Sequence, residues 1–362
     1  MKHTGTPVFR PTADCIWNSF RSSGKRHLIL TGSRGSGKTT LLSALFPETL
    51  PGITTWAEPR KAVYLKENLS GKQARVGRFD GSLPGTENKM VLCPEGFSSL
   101  GIPAVLRCVS CGSEWITMDE IGYLEEGCEE YRDALRHLMN RKRLAAVARK
   151  QNTPFLRELT SREDVFVLDL DAPYGVLGCV IMASGLGKRF GGNKLMADFH
   201  GEPLILRALA ATDGIFHRRV VVTRHRDVAD LCRDRGIETV LHQLPYRSDT
   251  VRLGLEAVGE VNGCLFCPGD QPLLRRETVA ALALAAVNDP QSIWRTAFED
   301  TQGSPVLFPR WTFRSLESLP EGKGGGFVIK KHPEHLRAVR VRDRLELMDA
   351  DSPADLAFLA ER

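Results

Sequence analysis

A chain of 362 residues, 42% hydrophobic and 26% charged, is too long for one comfortable core and suits two domains of ordinary size. A net charge of +5 over that length fits pockets that hold phosphates; with no aromatic-interleaved basic groove and no helicase-type motif set, a nucleic-acid partner is not expected. No run of about eighteen apolar residues exists and the start, Met1-Lys2-His3-Thr4-Gly5, lacks an apolar signal stretch, so a membrane partner is not expected and the expected setting is cytoplasmic.

The first predicted strand, Leu28-Ile29-Leu30, runs into Gly32-Ser33-Arg34-Gly35-Ser36-Gly37-Lys38-Thr39, a full match to the P-loop (Walker A) pattern G-x-x-x-x-G-K-[ST]. Gly32, Gly35 and Gly37 let the backbone curl around β- and γ-phosphates, Lys38 supplies charge there, and Thr39 offers its hydroxyl to Mg²⁺. Thr40 joins the nucleotide-binding set at the start of a helix that Pro47 stops; the nucleotide is ATP or GTP. Farther on, Trp115-Ile116-Thr117-Met118 predicts an apolar strand ending in Asp119 and Glu120, the first to hold the metal and the second to polarise a water for attack on the γ-phosphate. Nine cysteines in a cytosolic enzyme do not suggest a disulfide framework. Cys108-x-x-Cys111 and Cys264-x-x-Cys267, with Cys93 and Cys128, have zinc-like spacing, but the first pair reads as one face of a helix within 97–112 and the second as a buried strand.

These residues resemble the small P-loop nucleoside-triphosphatase family, whose second motif reads like Asp119-Glu120-Ile121-Gly122-x-x-Glu125 and which has a later segment similar to Lys150-Gln151-Asn152-Thr153-Pro154-Phe155. The resemblance covers 27–170; Arg149 or Lys150 reads either as a phosphate-reaching cation or as an exposed loop charge, and the first 25 or so residues have no assigned role.

Asp169-Leu170-Asp171-Ala172-Pro173-Tyr174-Gly175 has turn chemistry and reads as a linker, dividing the chain into 1–174 and 175–362. Strand-like runs then recur at 178–183, 220–223, 264–268 and 339–341, with helical patterns at 204–211 and 249–258. The expected fold class is α/β, two Rossmann-like/P-loop three-layer sandwiches in tandem. The second glycine loop follows the strand at 178–183: Ala183, Ser184, Gly185, Gly187 and Lys188 are the expected nucleotide contacts, and Lys188, Arg189 and Lys194 form a cluster suited to a free triphosphate.

This second half resembles the molybdopterin nucleotidyltransferases, on the loop ending in Lys194-Leu195-Met196 and four later segments. Those segments are Arg247-Ser248-Asp249-Thr250, Cys267-Pro268-Gly269-Asp270-Gln271-Pro272, Gly303-Ser304-Pro305-Val306-Leu307-Phe308, and Asp349-Ala350-Asp351-Ser352-Pro353-Ala354-Asp355-Leu356. The resemblance implies transfer of a nucleotidyl group from an NTP to a phosphate, with release of pyrophosphate. Asp270, with Asp349 or Asp351, would hold Mg²⁺; Arg189 and Lys194 would stabilise charge on the α-phosphate and pyrophosphate; Ser248 and Thr250 would lie near the base. No general base is needed, because a phosphate monoester is already ionised near neutral pH. The motifs favour CTP over GTP, although Ser304 stands where the cytidylyl branch usually has histidine and Gly191-Gly192 has a guanylyl look. The implied acceptor is molybdenum-loaded molybdopterin, and the implied downstream partner a molybdenum hydroxylase apoenzyme. The alternatives are a guanylyl-, sugar- or isoprenoid-type nucleotidyltransferase, or a non-catalytic cofactor carrier driven by the P-loop domain.

Overall fold

The computed structural model describes residues 7–83, 89–187 and 189–362. Its contacts divide the chain into a unit Gly24–Pro173 and a unit that joins Tyr174–Arg362 to the N-terminal segment ending at Ser23.

The unit Gly24–Pro173 is built on an eight-stranded sheet of order β5-β4-β3-β2-β6-β7-β1-β8. Strands β1 (His27–Thr31), β6 (Trp115–Ile121), β7 (Arg143–Ala148) and β8 (Val165–Asp169) run parallel and form one half of it, with β8 at the edge. Inside that half, β1 and β7 are apolar runs buried on both faces: Leu28, Ile29, Leu30, Leu144, Ala145 and Ala146 are all fully buried. Helix Glu129–Arg141 shows the matching pattern, with Tyr131, Ala134, Leu135 and Leu138 on the buried face, acids in its first turn and Arg141 in its last. The rest of the sheet is an antiparallel meander of β2 (Gly52–Glu58), β3 (Ala62–Glu67), β4 (Gln73–Phe79) and β5 (Met90–Leu92), four strands not among those predicted from the sequence. Most of its strands carry more half-buried and exposed positions, as in Gln73–Phe79, so they lack the solid apolar runs of β1 and β7.

In the other unit, β9 (Leu177–Ala183) lies at the centre, and a hairpin of β10 (Asp198–Phe199) and β11 (Glu202–Pro203) stands apart. The main sheet has the order β13-β12-β9-β14-β16-β15-β17, with β12 (Arg218–Thr223), β13 (Glu238–Leu241), β14 (Gly263–Pro268), β15 (Ile293–Phe298), β16 (Thr301–Pro309) and β17 (Leu336–Arg340). Only β16 runs against its neighbours β14 and β15. The carboxyl ends of β9, β12 and β14 therefore lie along one edge, the edge at which open α/β sheets bind ligands. Both sheets carry helices, so the tandem α/β sandwich expectation holds.

The division at 174/175 is corrected at its N-terminal end. Helix Ala13–Ser23 buries Cys15, Ile16, Ser19 and Phe20 and packs on helix Arg276–Asn288 and on β17, so it belongs with the second sheet. Its apolar stripe needs a partner, and Arg276–Asn288 supplies a small-residue, alanine-rich surface for close approach. The 169–175 stretch is also more than a linker, since Asp169 closes β8 and Asp171 is held by the P-loop.

Candidate active sites

In the unit Gly24–Pro173, β1 turns at its carboxyl end into the glycine loop, and helix Lys38–Leu45 leaves it. Gly35 and Gly37 have φ of +80° and +94°, the left-handed region that side chains rarely adopt, which is why the loop can curl tightly there. The Lys38 ammonium donates to the carbonyls of Gly32 (3.0 Å) and Ser33 (2.7 Å) in its own loop. Thr39 donates to Asp119 Oδ1 at 3.1 Å, so the hydroxyl and the carboxylate expected to share a metal meet. Burial raises the Asp119 carboxyl above the usual range, against the Thr39 hydrogen bond. These hard oxygen donors fit Mg²⁺. Thr40 is exposed on the first turn of the helix.

Glu120 pairs with the Arg149 guanidinium, and buried Glu125 accepts the Gly122 N–H at 2.9 Å. Of the two cations left open by the sequence, Arg149 is thus engaged with Glu120, while Lys150 bridges Asp169 (2.8 Å) and Asp171 (3.0 Å). Asp171 in turn accepts the Ser33 N–H at 2.9 Å and the Ser33 hydroxyl at 2.8 Å. Lys150, followed by the Ser33 groups, brings the Asp171 carboxyl down to about 2. Asp171 is a loop-holding residue that sequence reasoning missed, because turn chemistry around Pro173 explained it well enough.

In the unit built on Tyr174–Arg362, a short helical turn at Lys194–Met196 closes the second glycine loop, with Asn193 accepting the Leu195 N–H and Leu195 buried. That anchor sets the Lys194 side chain, nine-tenths buried, between Asp270 Oδ2 (2.5 Å) and Asp351 Oδ1 (2.9 Å). Arg189 reaches the other oxygen of Asp351 at 2.6 Å. Burial works against the Lys194 charge, yet the two aspartates win and hold its pKa above the ordinary lysine value. The sign is expected, since a charge pair about 3 Å apart attracts by about 5 kcal/mol at an effective dielectric near 20. Lys194, and to a smaller degree Arg189, hold Asp351 below the usual carboxylate range.

The two acidic loops are locked together. The Ala350 N–H donates to Asp270 O at 2.9 Å, and the Gln271 amide donates to Asp349 Oδ1 at 3.0 Å. Ser352 and Asp355 form a capping box on helix Pro353–Ala360, which leaves Asp351, one residue earlier, free of capping duty. Asp349 reaches solvent but is crowded by protein; that desolvation, followed by the Asp270 charge, pushes its carboxyl up to about 6. The motif around Gln271 does not reveal its role, but its amide donor is what fixes Asp349. Among the described residues no three acidic, histidine or cysteine side chains gather closely enough to chelate one ion. A donor set of one or two carboxylates completed by substrate phosphate oxygens is nevertheless the usual Mg²⁺ arrangement, and Asp270 with Asp351 fits it.

Gly187 has φ of +60°, and a Cβ there would lie 2.1 Å from Gly192 O, so this turn of the loop requires glycine. The Ser184 hydroxyl is engaged on both sides within the protein. His242 Nδ1 accepts the Leu244 N–H (3.2 Å), which leaves the proton on Nε2 to donate to Ser184 Oγ (2.9 Å). Ser184 Oγ donates onward to Val222 O (3.1 Å). Burial, then Arg224, keeps the His242 pKa below the ordinary histidine value. Ala183 ends β9 fully buried, Gly185 follows Ser184, and Lys188 lies outside the described residues. Ser248 and Thr250, at 8% and 2% exposure, sit on the buried side of helix Arg247–Val258. Cys264 and Cys267 are buried in β14, and burial pushes the Cys108 thiol up to about 11.

Residues 27–173 match the family model described as NTPase, and residues 179–336 match the one described as MobA-like NTP transferase domain. The 3-deoxy-manno-octulosonate cytidylyltransferase of Chlorobium phaeovibrioides is 36% identical over 90 residues, which is 24% of this chain and 36% of that one. The chain thus spans about a third of that relative's length. The nucleoside-triphosphatase THEP1 of Thermotoga maritima is 25% identical over 150 residues, 40% of this chain and 86% of that protein. Among solved structures, a nucleotidyl transferase from Methanothermobacter thermautotroptrophicus is similar at 20% identity and a TM-score of 0.45, covering 52% of this chain and 97% of that one.

Proposed function

For a chain that joins an NTPase-family domain to a MobA-like NTP transferase domain, we propose cytidylyl transfer from CTP to the terminal phosphate of molybdenum-loaded molybdopterin, with NTP hydrolysis at the P-loop. The observation that carries the transfer chemistry is the alternating row Arg189–Asp351–Lys194–Asp270 at the sheet edge. Two phosphate groups must be brought together there, and a row of fixed opposite charges can offset both anions and a metal without rearranging solvent. The acceptor phosphate oxygen bonds to the α-phosphorus, the bond to the bridging oxygen of the β-phosphate breaks, and pyrophosphate leaves with that electron pair. Arg189 and Lys194 stabilise the charge that grows on the leaving group, and Gln271 keeps Asp349 turned into the site. Asp270 and Asp351 are the residues that would hold Mg²⁺, which supplies charge neutralisation between phosphates when bound. At the P-loop, Lys38 and Thr39 address the phosphates, and Glu120, oriented by Arg149, polarises water.

Choice of CTP is supported by the cytidylyltransferase relatives of the second half and by the motif set in 247–255 and 267–272. Those same relatives favour a second reading, in which the acceptor is a sugar acid such as 3-deoxy-manno-octulosonate. Pyrophosphate release measured with each of the four NTPs, with molybdenum-loaded molybdopterin or with the sugar acid, separates the two. The expected outcome is CTP over GTP by at least about tenfold in kcat/KM, or roughly 1.4 kcal/mol, with the molybdopterin acceptor. Equal use of the two nucleotides defeats the cytidylyl assignment, and turnover with the sugar acid alone defeats the acceptor.

A further inference from the structure

The glycine loop of the transferase unit has its carbonyls taken by one short stretch of chain, the end of β12 and the start of helix Arg226–Asp234. Thr223 Oγ1 donates to Ala183 O at 2.9 Å, Arg224 Nε to Ser184 O at 3.0 Å, and His225 Nε2 to Gly185 O at 2.7 Å. Successive side chains thus hold successive loop carbonyls. The same stretch also grips the far end of the loop, where the Asp227 carboxylate accepts both oxygens' worth of contact from Asn193 Nδ2, at 2.9 and 3.0 Å, just before Lys194. The clamp is internally braced: the His225 N–H donates to Thr223 Oγ1 (3.0 Å) and the Val228 N–H to Asp227 Oδ1 (2.8 Å). Gly187 O is taken in addition by the N–H groups of Phe190 and Gly191.

In a planar trans peptide the C=O of one residue and the N–H of the next point in opposite directions. Turning the carbonyls of Ala183, Ser184 and Gly185 onto the clamp therefore turns the N–H groups of Ser184, Gly185 and Leu186 the other way. Among the described residues, the N–H groups of Gly185, Leu186 and Gly187 donate to no other protein group. A loop with its carbonyls occupied on one side and its N–H groups free on the other is polarised for an anion before the anion arrives.

We propose that Thr223, Arg224, His225 and Asp227 form a positioning clamp that presets this loop to receive the nucleotide triphosphate, with Arg224 and His225 turning its carbonyls away from the phosphates. The proposal deepens the transferase reading and rests on it for the identity of the ligand. It is tested in a Lys38→Ala background, which removes nucleotide binding at the P-loop, by calorimetric titration with Mg·CTP and Mg·GTP. His225→Ala and Arg224→Ala weaken the preferred nucleotide by about tenfold or more, whereas His225→Gln, which keeps an N–H donor, stays within about threefold of the parent. Because the loop binds the triphosphate alike in ground and transition states, KM rises while kcat changes by less than about threefold. Should alanine lower the melting temperature, His225→Gln is compared with His225→Met, two unbranched side chains that differ in the donor. Affinities within twofold for the alanine variants, a glutamine variant as weak as alanine or methionine, or a loss confined to kcat overturns the clamp; so does a parent that binds neither nucleotide. A parent that binds nucleotide but releases no pyrophosphate with any acceptor overturns the transferase reading instead, and leaves the clamp to stand on the titrations.

Discussion

Each glycine loop ends in a lysine, and the two lysines are held in opposite ways. Lys38 rests on carbonyls of its own loop, Gly32 O and Ser33 O, whereas Lys194 lies between the carboxylates of Asp270 and Asp351, the latter 157 residues away. Phosphate oxygens can take the place of neutral carbonyls on Lys38 with a gain in charge attraction. At Lys194 an arriving triphosphate meets two carboxylates already there, so a cation is needed to offset them. The difference teaches that the same loop chemistry can be self-contained in one unit and dependent on distant chain in the other.

Four measurements break or sharpen this contrast. The largest effect is expected for Asp270→Asn, which should lower pyrophosphate release by about 100-fold or more while P-loop hydrolysis stays normal, because an amide holds Mg²⁺ poorly and leaves Lys194 half-paired. Near-normal turnover at saturating Mg²⁺ removes Asp270 from the reaction. Lys38→Ala should in turn abolish NTP hydrolysis, by about 100-fold or more, and leave nucleotidyl transfer within about twofold. Loss of both activities in a folded protein means the two sites are coupled and the contrast is too simple.

Removing Mg²⁺ with a chelator should weaken nucleotide binding more at the transferase loop than at the P-loop. We expect about tenfold or more at the first, read in a Lys38→Ala chain, and a smaller change at the second, read in a Lys194→Ala chain. Equal losses contradict the argument from the lysine partners.

A last prediction, on stability and not on activity, concerns His27, fully buried at the start of β1, which leads into the P-loop. Its Nδ1 accepts the Leu144 N–H at 3.1 Å, so it is held neutral, and burial lowers its pKa to about 4 despite Asp164. The unfolded chain binds a proton there near the ordinary value of about 6.5 and the folded one does not, so stability falls as pH drops from about 6.5 to about 4. At 1.36 kcal/mol per pKa unit the full loss is on the order of 3 kcal/mol. Hydrogen exchange at the Leu144 amide should show protection falling over that window in the parent and much less in His27→Gln. Identical profiles for the two chains would show that His27 does not titrate on unfolding as described.

The same contrast explains what was legible beforehand. The P-loop could be read whole, since eight consecutive residues carry its glycines, its lysine and its metal-side hydroxyl, and only Asp119 and Glu120 come from another strand, where an apolar run ending in two acids is itself a signal. Asp171 was not legible as a loop contact, because a carboxylate near Pro173 has a sufficient local explanation as a turn residue. The first 25 or so residues fall within 1–174 by chain order alone; the amphipathic stripe of helix Ala13–Ser23 shows that it needs a partner but not which one.

By itself the sequence determined the two strand-to-glycine-loop transitions and the α/β class of both units, because these depend on local geometry and on runs of apolar residues. Only the tertiary structure decided that Lys194 is shared by Asp270 and Asp351, that Gln271 sets Asp349, and that the chain from Thr223 to Asp227 holds the second loop. Those contacts join segments tens to more than a hundred residues apart, and which side chains meet across such gaps depends on strand order and register. Spacing along one chain carries no record of either.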